Sequence, residues 1–218
     1  MEEAVVHVDV DLKVLYFGTP VVLISTVNED GSANVAPMSS AWWLGQACML
    51  GLGNSSQTMR NLVRERECVL NLVPPELAGA VDLLAPLTGA SPVPERKAAK
   101  GYRFEADKFG AAGLTPQASE SVAAPRVLEC PIQLECLVEK VHPFGRNASG
   151  VEVRVVRAHV EERLVIPGTA YVDPVGWDPL IMKFCEFFGG AVNVGPSALA
   201  SAWEMPHGVM PSAAAASG

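Results

Sequence analysis

The chain has 218 residues, 49% of them hydrophobic and 18% charged, with a formal net charge of −8. That length and apolar share are enough to bury a core of domain size and exclude a disordered chain. The acidic balance, without any cluster of Lys or Arg, excludes a surface built to bind nucleic acid or an anionic membrane.

The opening stretch "MEEAVVHVDVD" has neither the basic nor the apolar region of a secretion signal. Residues 1–17 therefore read as a lead-in, and the protein is expected in the cytoplasm. No apolar run approaches the roughly 20 residues of a membrane-spanning helix. The first predicted element is a hairpin. "VVLISTV" (21–27) and the run from Ser32 flank "NEDG", where Asn28, Asp30 and Gly31 supply the chemistry of a tight reversal. The partner strand, "NVAPMSSAWW" (34–43), is unusual. Pro37 has no N–H to give a neighbour, which places this strand at an edge or a bulge and leaves backbone groups of Met38, Ser39 and Ser40 without strand partners. Trp42 and Trp43 argue against a wholly exposed edge. The small side chains of Ala36, Ser39, Ser40 and Ala41 leave room for a flat ring whose polar edge would pair with the open backbone. The plainer reading is an ordinary edge strand facing water. If a ring lies there, a bulky residue at Ser40 is expected to block it without changing the stability of the ligand-free protein.

"ACMLGLG" (47–53) predicts a third strand, running through glycines into a helix over "SSQTMRNLVRERE". Asn54, Ser55, Ser56, Gln57 and Thr58 crowd the start of that helix. Free N–H groups, the positive end of the helix dipole and several hydroxyls there suit an anion such as phosphate. The plainer alternative is one N-cap and a loop. "CVLNLV" (68–73) predicts a strand that stops at Pro74-Pro75.

From 74 to 125 the composition shifts to Pro, Ala, Gly and charge. This excursion is expected to be helical in "ELAGAVDLLA", mixed in "ERKAAKGYRFEADKFGAAG", and free of strands. Strands resume over 126–141 and 151–166, joined by "HPFGRNASG", with Val153, Val155 and Ala158 facing a core and a bulge near Val156. "DPLIMKFCEFFGG" predicts a short helix, and residues 206–218 a disordered tail. Antiparallel strands with one early helix and a helical middle predict a mainly β fold, a barrel with helical insertions.

Other signals carry less. "GLGNSS" lacks the third glycine of a dinucleotide fingerprint and follows an antiparallel hairpin. Cys130, Cys136 and His142 are spaced by six without a fourth ligand, so no metal site is expected. The five cysteines are scattered without a C-x-x-C pair, which suits reduced, buried thiols. His159 lies in an apolar strand and reads as a satisfied core or rim histidine.

"TPVVLISTVNEDGSANVAPMSSAWW", then "TMRNLVRERECVLNLV", then "DKFGAAGLT" with "LECPIQLEC" resemble, in that order and from about residue 18 to 190, the flavin reductase-like proteins with an FMN-binding split barrel. The resemblance implies a split antiparallel β-barrel domain over residues 18–205 and a homodimer with FMN near the subunit interface. It implies a flavin ring against the strand bearing Asn34, Met38, Ser39, Ser40 and Ala41, and a phosphate near Asn54, Ser55, Ser56, Gln57 and Thr58. It also implies hydride transfer from NADH or NADPH to flavin N5, with a partner monooxygenase as one receiver of reduced flavin. Flavin does the redox chemistry in such a protein, so no acid, base or other catalytic residue is named. Two other readings remain: an FMN-dependent oxidoreductase acting on an organic substrate held over the flavin, with the excursion and the C-terminal helix shaping the pocket, and a non-catalytic flavin carrier. Members of the family often carry Lys or Arg just before the position of Thr58. Gln57 stands there in this chain, so neutralisation of the phosphate falls to dipole and hydroxyls, or to another residue such as Arg60. Many relatives also have a Tyr after the C-terminal glycine pair. Here Gly189-Gly190 is followed by Ala191, which leaves Trp177 and Phe188 as candidates to stack on the ring.

Overall fold

A computed structural model describes residues 5–206 apart from 196 and 198. All but the first residue of the 206–218 tail expected to be disordered lies outside the described residues.

The chain opens with three strands, β1 (Phe17–Pro20), β2 (Val22–Val27) and β3 (Ala33–Met38). β2 and β3 form the predicted hairpin, with Val22 opposite Met38 and Val27 opposite Ala33. Its turn is closed by Asn28 N, which donates to Ser32 O at 2.8 Å, and by Gly31 at φ 82°, a backbone state that favours glycine. The expected strand 34–43 proves to be two. β3 ends at Met38, and β4 (Ala41–Leu44) pairs instead with β5 (Ala47–Gly53), Ala41 lying opposite Leu50. The break has a local cause: Pro37 cannot extend a ladder on its N–H side, and the carbonyl of Ser40 has already turned to accept from Gly51 N at 2.7 Å.

Helix α1 (Gln57–Glu65) leads into β6 (Glu67–Leu72). The excursion follows as α2 (Ala78–Leu84), β7 (Leu87–Thr88), α3 (Glu95–Ala98), β8 (Arg103–Phe104), α4 (Lys108–Ala111) and β9 (Pro116–Gln117). It is therefore not free of strands. β7 pairs with β8 in parallel, and β9 pairs antiparallel with β10 (Arg126–Val127). Two-residue strands are too short to show a period in sequence. Pro131 separates β10 from β11 (Ile132–Phe144), which forms a long hairpin with β12 (Ala148–Val160). The ladder runs on through most of "HPFGRNASG", leaving only Gly145 to Asn147 as the turn. Glu135 faces Arg157 and Cys136 faces Val155, so Val156 is the extra residue of a bulge, where it was expected. Val153 is buried and Val155 half-buried, but Ala158 is exposed, and β12 ends at Val160 rather than reaching 166.

The helix expected in "DPLIMKFCEFFGG" is instead a hairpin of β13 (Ile181–Lys183) and β14 (Glu186–Phe188); a short α5 (Leu199–Ala202) follows. Phe184 and Cys185, at φ 47° and 68°, reverse the chain, and β1 supplies β13 with backbone partners that a solvent-facing helix would not need.

Seven strands form one antiparallel sheet in the order β3-β2-β6-β11-β12-β5-β4. Its two edge strands are neighbours in sequence, linked only by Ser39 and Ser40. The sheet must therefore curl until its edges approach, yet among the described residues no ladder joins β3 to β4. The result is a barrel split along one seam. Ile24, Leu50, Leu70, Cys136 and Val151 fill its interior, with Met59 and Leu62 of α1 packed against them. On β2 and at the residue before it, the inward Val22 and Ile24 alternate with Val21 and Leu23, which pack with Leu84, Phe109 and Leu180. Burial on both faces explains why this strand reads as a continuous apolar run.

The curl is tightest where Ser40 passes β5. A Cβ at Gly51 would stand 2.9 Å from Ser40 Cβ. Gly51→Ala is expected to cost about 1–3 kcal/mol by overpacking, read as a lower melting temperature; an unchanged melting temperature would remove the close contact. Ser40 lies against β5 at this point, so Ser40→Leu is expected to lower the melting temperature of the ligand-free protein, in place of the sequence-based expectation that it would not.

Candidate functional site

A cleft of about 240 Å³ opens where the start of α1 meets β3 and the excursion. Asn34, Met38, Ser55, Ser56, Gln57 and Thr58 line one wall, along with Ala36 and Pro37. The other wall comes from the excursion, through Leu84, Leu87, Thr88, Gly89 and, from farther along, Lys97, Tyr102 and Lys108.

The first wall is set by a cap and a buried polar network. Ser56 is extended, and its Oγ accepts from Met59 N at 3.1 Å, which starts α1 at Gln57. Among the described residues the N–H groups of Gln57 and Thr58 have no protein acceptor. Behind them Asn34 Nδ2 donates to Thr26 Oγ1 at 3.1 Å and to Thr58 Oγ1 at 3.3 Å. Asn61 Nδ2 donates to Thr26 Oγ1 and to Asn28 Oδ1, both at 2.9 Å, and Gln57 Nε2 donates to Asn61 Oδ1 at 2.9 Å. The hairpin turn and the helix start are thus tied together through side-chain hydrogen bonds, so the first turn of α1 is held in place. Ser56→Ala is expected to cost about 1 kcal/mol of stability through loss of the cap, measured as the shift in denaturation midpoint; no shift would mean that water replaces the hydroxyl.

Asn34 Oδ1 is buried without a donor in this network. A Cβ at Gly89 would lie 2.9 Å from it, so glycine is what lets the excursion close over β3 here.

The second wall carries the charge. Lys108 is 3% exposed, and burial, with the neighbouring charge of Lys97, pushes its amine down to about 8. Lys97 is half-buried, with Nζ 3.5 Å from Thr88 Oγ1 and 5.2 Å from the centre of the Tyr102 ring. Its amine is lowered by burial and then by the charge of Arg60. Among the described residues no carboxylate lies within ion-pair distance of any of these three cations. Burying a cation without a counter-charge is costly, and a cleft that concentrates two lysines beside free N–H groups offers an anion favourable partners.

Four of the residues expected at the site lie elsewhere. Ser39 does not line the cleft. Ser40 packs against Gly51, Ala41 is 2% exposed in the barrel interior, and Asn54 Oδ1 accepts from Ser149 Oγ at 2.8 Å. Neither Trp177 nor Phe188 reaches the cleft; Phe188 instead lies under Lys183 Nζ at 3.6 Å. Tyr102 is the aromatic that does. Sequence reasoning missed Lys97, Tyr102 and Lys108, whose nearest signal was the family-like "DKFG" around Lys108.

The secondary signals are resolved simply. His159 Nε2 lies 2.7 Å from the buried Glu135 Oε1, and His142 Nε2 lies 3.0 Å from Glu152 Oε2. Among the described residues no group of three His, Cys, Asp or Glu could hold a metal, and no helix is long and apolar enough to cross a membrane. All five cysteines are free; four are buried, and Cys185 is exposed against expectation.

Residues 14–183 match the family model described as "Flavin reductase like domain". The uncharacterised protein YdfE of Bacillus subtilis strain 168 is 37% identical over 185 residues, covering 84% of this chain and 89% of that protein. Among solved structures, flavoredoxin of Desulfovibrio vulgaris (Miyazaki F) superposes with a TM-score of 0.75 at 18% identity, over 90% of this chain and 100% of its own. Nitrilotriacetate monooxygenase component B from Bacillus cereus does so with a TM-score of 0.70 at 20% identity, over 89% and 100%. At these identities the two structures bear on the fold alone.

Proposed function

The chain belongs to the flavin reductase-like family, and from that premise we propose that it is an oxidoreductase that binds FMN in this cleft and draws electrons from NADH or NADPH. The observation that carries the reading is the pair of lysines, Lys108 buried and Lys97 half-buried, without a carboxylate beside the start of α1. A phosphate monoester, with close to two negative charges, balances that pair. The residues present therefore fit the phosphate end of FMN.

In this reading Lys97, Lys108, the N–H groups of Gln57 and Thr58 and the Ser56 hydroxyl hold the phosphate. The β3 edge from Asn34 to Met38, open at Pro37, orients the ring, and Leu84, Leu87 and Tyr102 limit the access of water. When bound, flavin supplies the two-electron redox chemistry, accepting hydride at N5 from the reduced nicotinamide. Residues 18–205 form the working domain and pair as a homodimer. A monooxygenase partner taking reduced flavin is supported by the shared fold with a monooxygenase component B. The five free cysteines suit a reducing cytoplasm.

Titrating the purified protein with FMN, FAD and riboflavin, and following NADH and NADPH oxidation with and without FMN, tests the reading. FMN-dependent turnover supports it. FMN binding without turnover favours a flavin carrier or an oxidoreductase with a separate organic substrate, and equal affinity for riboflavin and FMN removes the phosphate from the cleft.

A further inference from the structure

The two lysines of the cleft are of unlike kind. Lys97 Nζ is engaged, 3.5 Å from Thr88 Oγ1 and 5.2 Å from the centre of the Tyr102 ring, with the charge of Arg60 acting on it. Lys108 is idle. Its side chain lines the cleft at 3% exposure, and among the described residues its nitrogen has neither a hydrogen-bond partner nor a carboxylate. Nor is that nitrogen sealed away, since the side-chain atoms closed off without a partner are Thr19 Oγ1, Asn34 Oδ1 and Trp43 Nε1.

An unengaged amine in a dry cleft beside a second cation is a nucleophile. Burial, with the charge of Lys97, brings the Lys108 amine down to about 8. At pH 7 roughly a tenth of it therefore carries a free lone pair, against on the order of a few ten-thousandths for an ordinary lysine. The surrounding groups do not reverse this. α4 packs against β3, which has no ionisable side chain, and against α2, whose Asp82 is exposed. The two carboxylates nearest in the chain are turned elsewhere: Asp107 Oδ1 accepts from Gly110 N and Glu105 Oε1 from Asp107 N, both at 2.9 Å.

The same cleft offers a phosphate the N–H groups of Gln57 and Thr58 together with Lys97. A molecule bearing both a phosphate and an aldehyde engages these groups and the idle amine at once. We propose that Lys108 is a covalent site for small phosphorylated aldehydes, which it holds as an imine while their phosphate takes the place assigned to that of FMN. The free amine attacks the carbonyl carbon and a C–N bond forms. Both amine protons then leave with the carbonyl oxygen as water, which creates the C=N bond; no electrons are exchanged, and water reverses the step. Such an aldehyde competes with the flavin for the cleft. The proposal rests on the reading of this cleft as a phosphate site and adds a reaction to it.

The test incubates full-length, flavin-free protein with pyridoxal 5′-phosphate, traps imines with borohydride and locates the adduct by peptide mass mapping. The expected result is one pyridoxyl group per chain, on Lys108, formed roughly ten times faster than with pyridoxal, which lacks the phosphate. Its rate should level off above about pH 8, where the folded amine is already free, whereas adducts on surface lysines go on rising toward pH 10.5. Lys108→Arg keeps the charge and should lose the adduct, with its melting temperature showing that it folds. Saturating FMN should slow the labelling of the wild-type protein. Adducts on Lys97 or on surface lysines alone, a rate at Lys108 that climbs like that of a surface lysine, or equal rates with and without the phosphate would each overturn the proposal. Labelling of Lys108 that FMN does not slow would uphold the lysine site and remove the flavin from this cleft. FMN binding, seen by fluorescence, to a protein whose Lys108 stays unlabelled would overturn the lysine site alone.

Discussion

Lys108→Met is expected to raise the melting temperature of the flavin-free protein while weakening its affinity for FMN by ~10- to 100-fold. The two effects have one cause. In the free protein Lys108 is a nearly buried cation, next to a second cation and without a carboxylate partner, and replacing such a charge by an apolar chain of similar length removes a desolvation cost. The depressed amine sets the scale at about 3 kcal/mol, taking roughly 1.4 kcal/mol for each unit between the ordinary value and about 8. In the complex the same ammonium contributes a charge-assisted bond of about 1.5–3 kcal/mol. Thermal melting without flavin and a fluorescence titration with FMN separate the two. If Lys108 only buttresses the excursion, stability and affinity will fall together, and the assignment of the phosphate to this wall fails.

Raising the pH from about 8 toward 10.5 is expected to stabilise the flavin-free protein through Lys108 and to weaken FMN binding over the same interval. The amine sits at about 8 in the folded chain against an ordinary value of 10.5. Between those values the unfolded chain holds a proton that the folded chain has released, so stability rises with pH there. Below pH 8 the folded protein carries the whole cost of the buried charge. Binding runs the other way. A phosphate favours the protonated amine, so above pH 8 the complex must take up a proton, and affinity drops by up to about tenfold per pH unit. Lys97, also lowered, acts in the same direction. Urea midpoints and FMN dissociation constants across this range give the two slopes, and Lys108→Met should flatten most of each. Parallel slopes of the same sign would contradict the scheme.

Local chemistry made some of this legible in the sequence and left the remainder hidden. The "NEDG" turn and the helix start at Ser56 were readable because each depends on residues adjacent in the chain. Pro37 announced an edge for the same reason: a missing N–H is a property of the residue itself. The break at Ser39 and Ser40 was not readable, since it depends on how closely Gly51 approaches from β5. The C-terminal hairpin was hidden because Phe184 and Cys185 take left-handed turn positions without the Gly or Asn that usually marks them. The lysines were hidden more deeply. In "ERKAAKGYRFEADKFG" charge without a period reads as a solvated surface, and the helix that carries Lys108 packs against β3, far earlier in the chain, and against α2.

The strand order also bears on how this protein can change. β6 and β11 are hydrogen-bonded neighbours, with Leu72 opposite Ile132, and the whole excursion is the loop that their pairing closes. The entropy of closing a loop grows only with the logarithm of its length, at roughly 0.6 kcal/mol for each doubling. Residues can therefore be inserted into the excursion, or removed from it, at little thermodynamic cost to the barrel beneath, provided its outer core contacts persist. One wall of the cleft is thus free to be rebuilt in length and charge while the wall made by β3 and α1 stays fixed by the barrel.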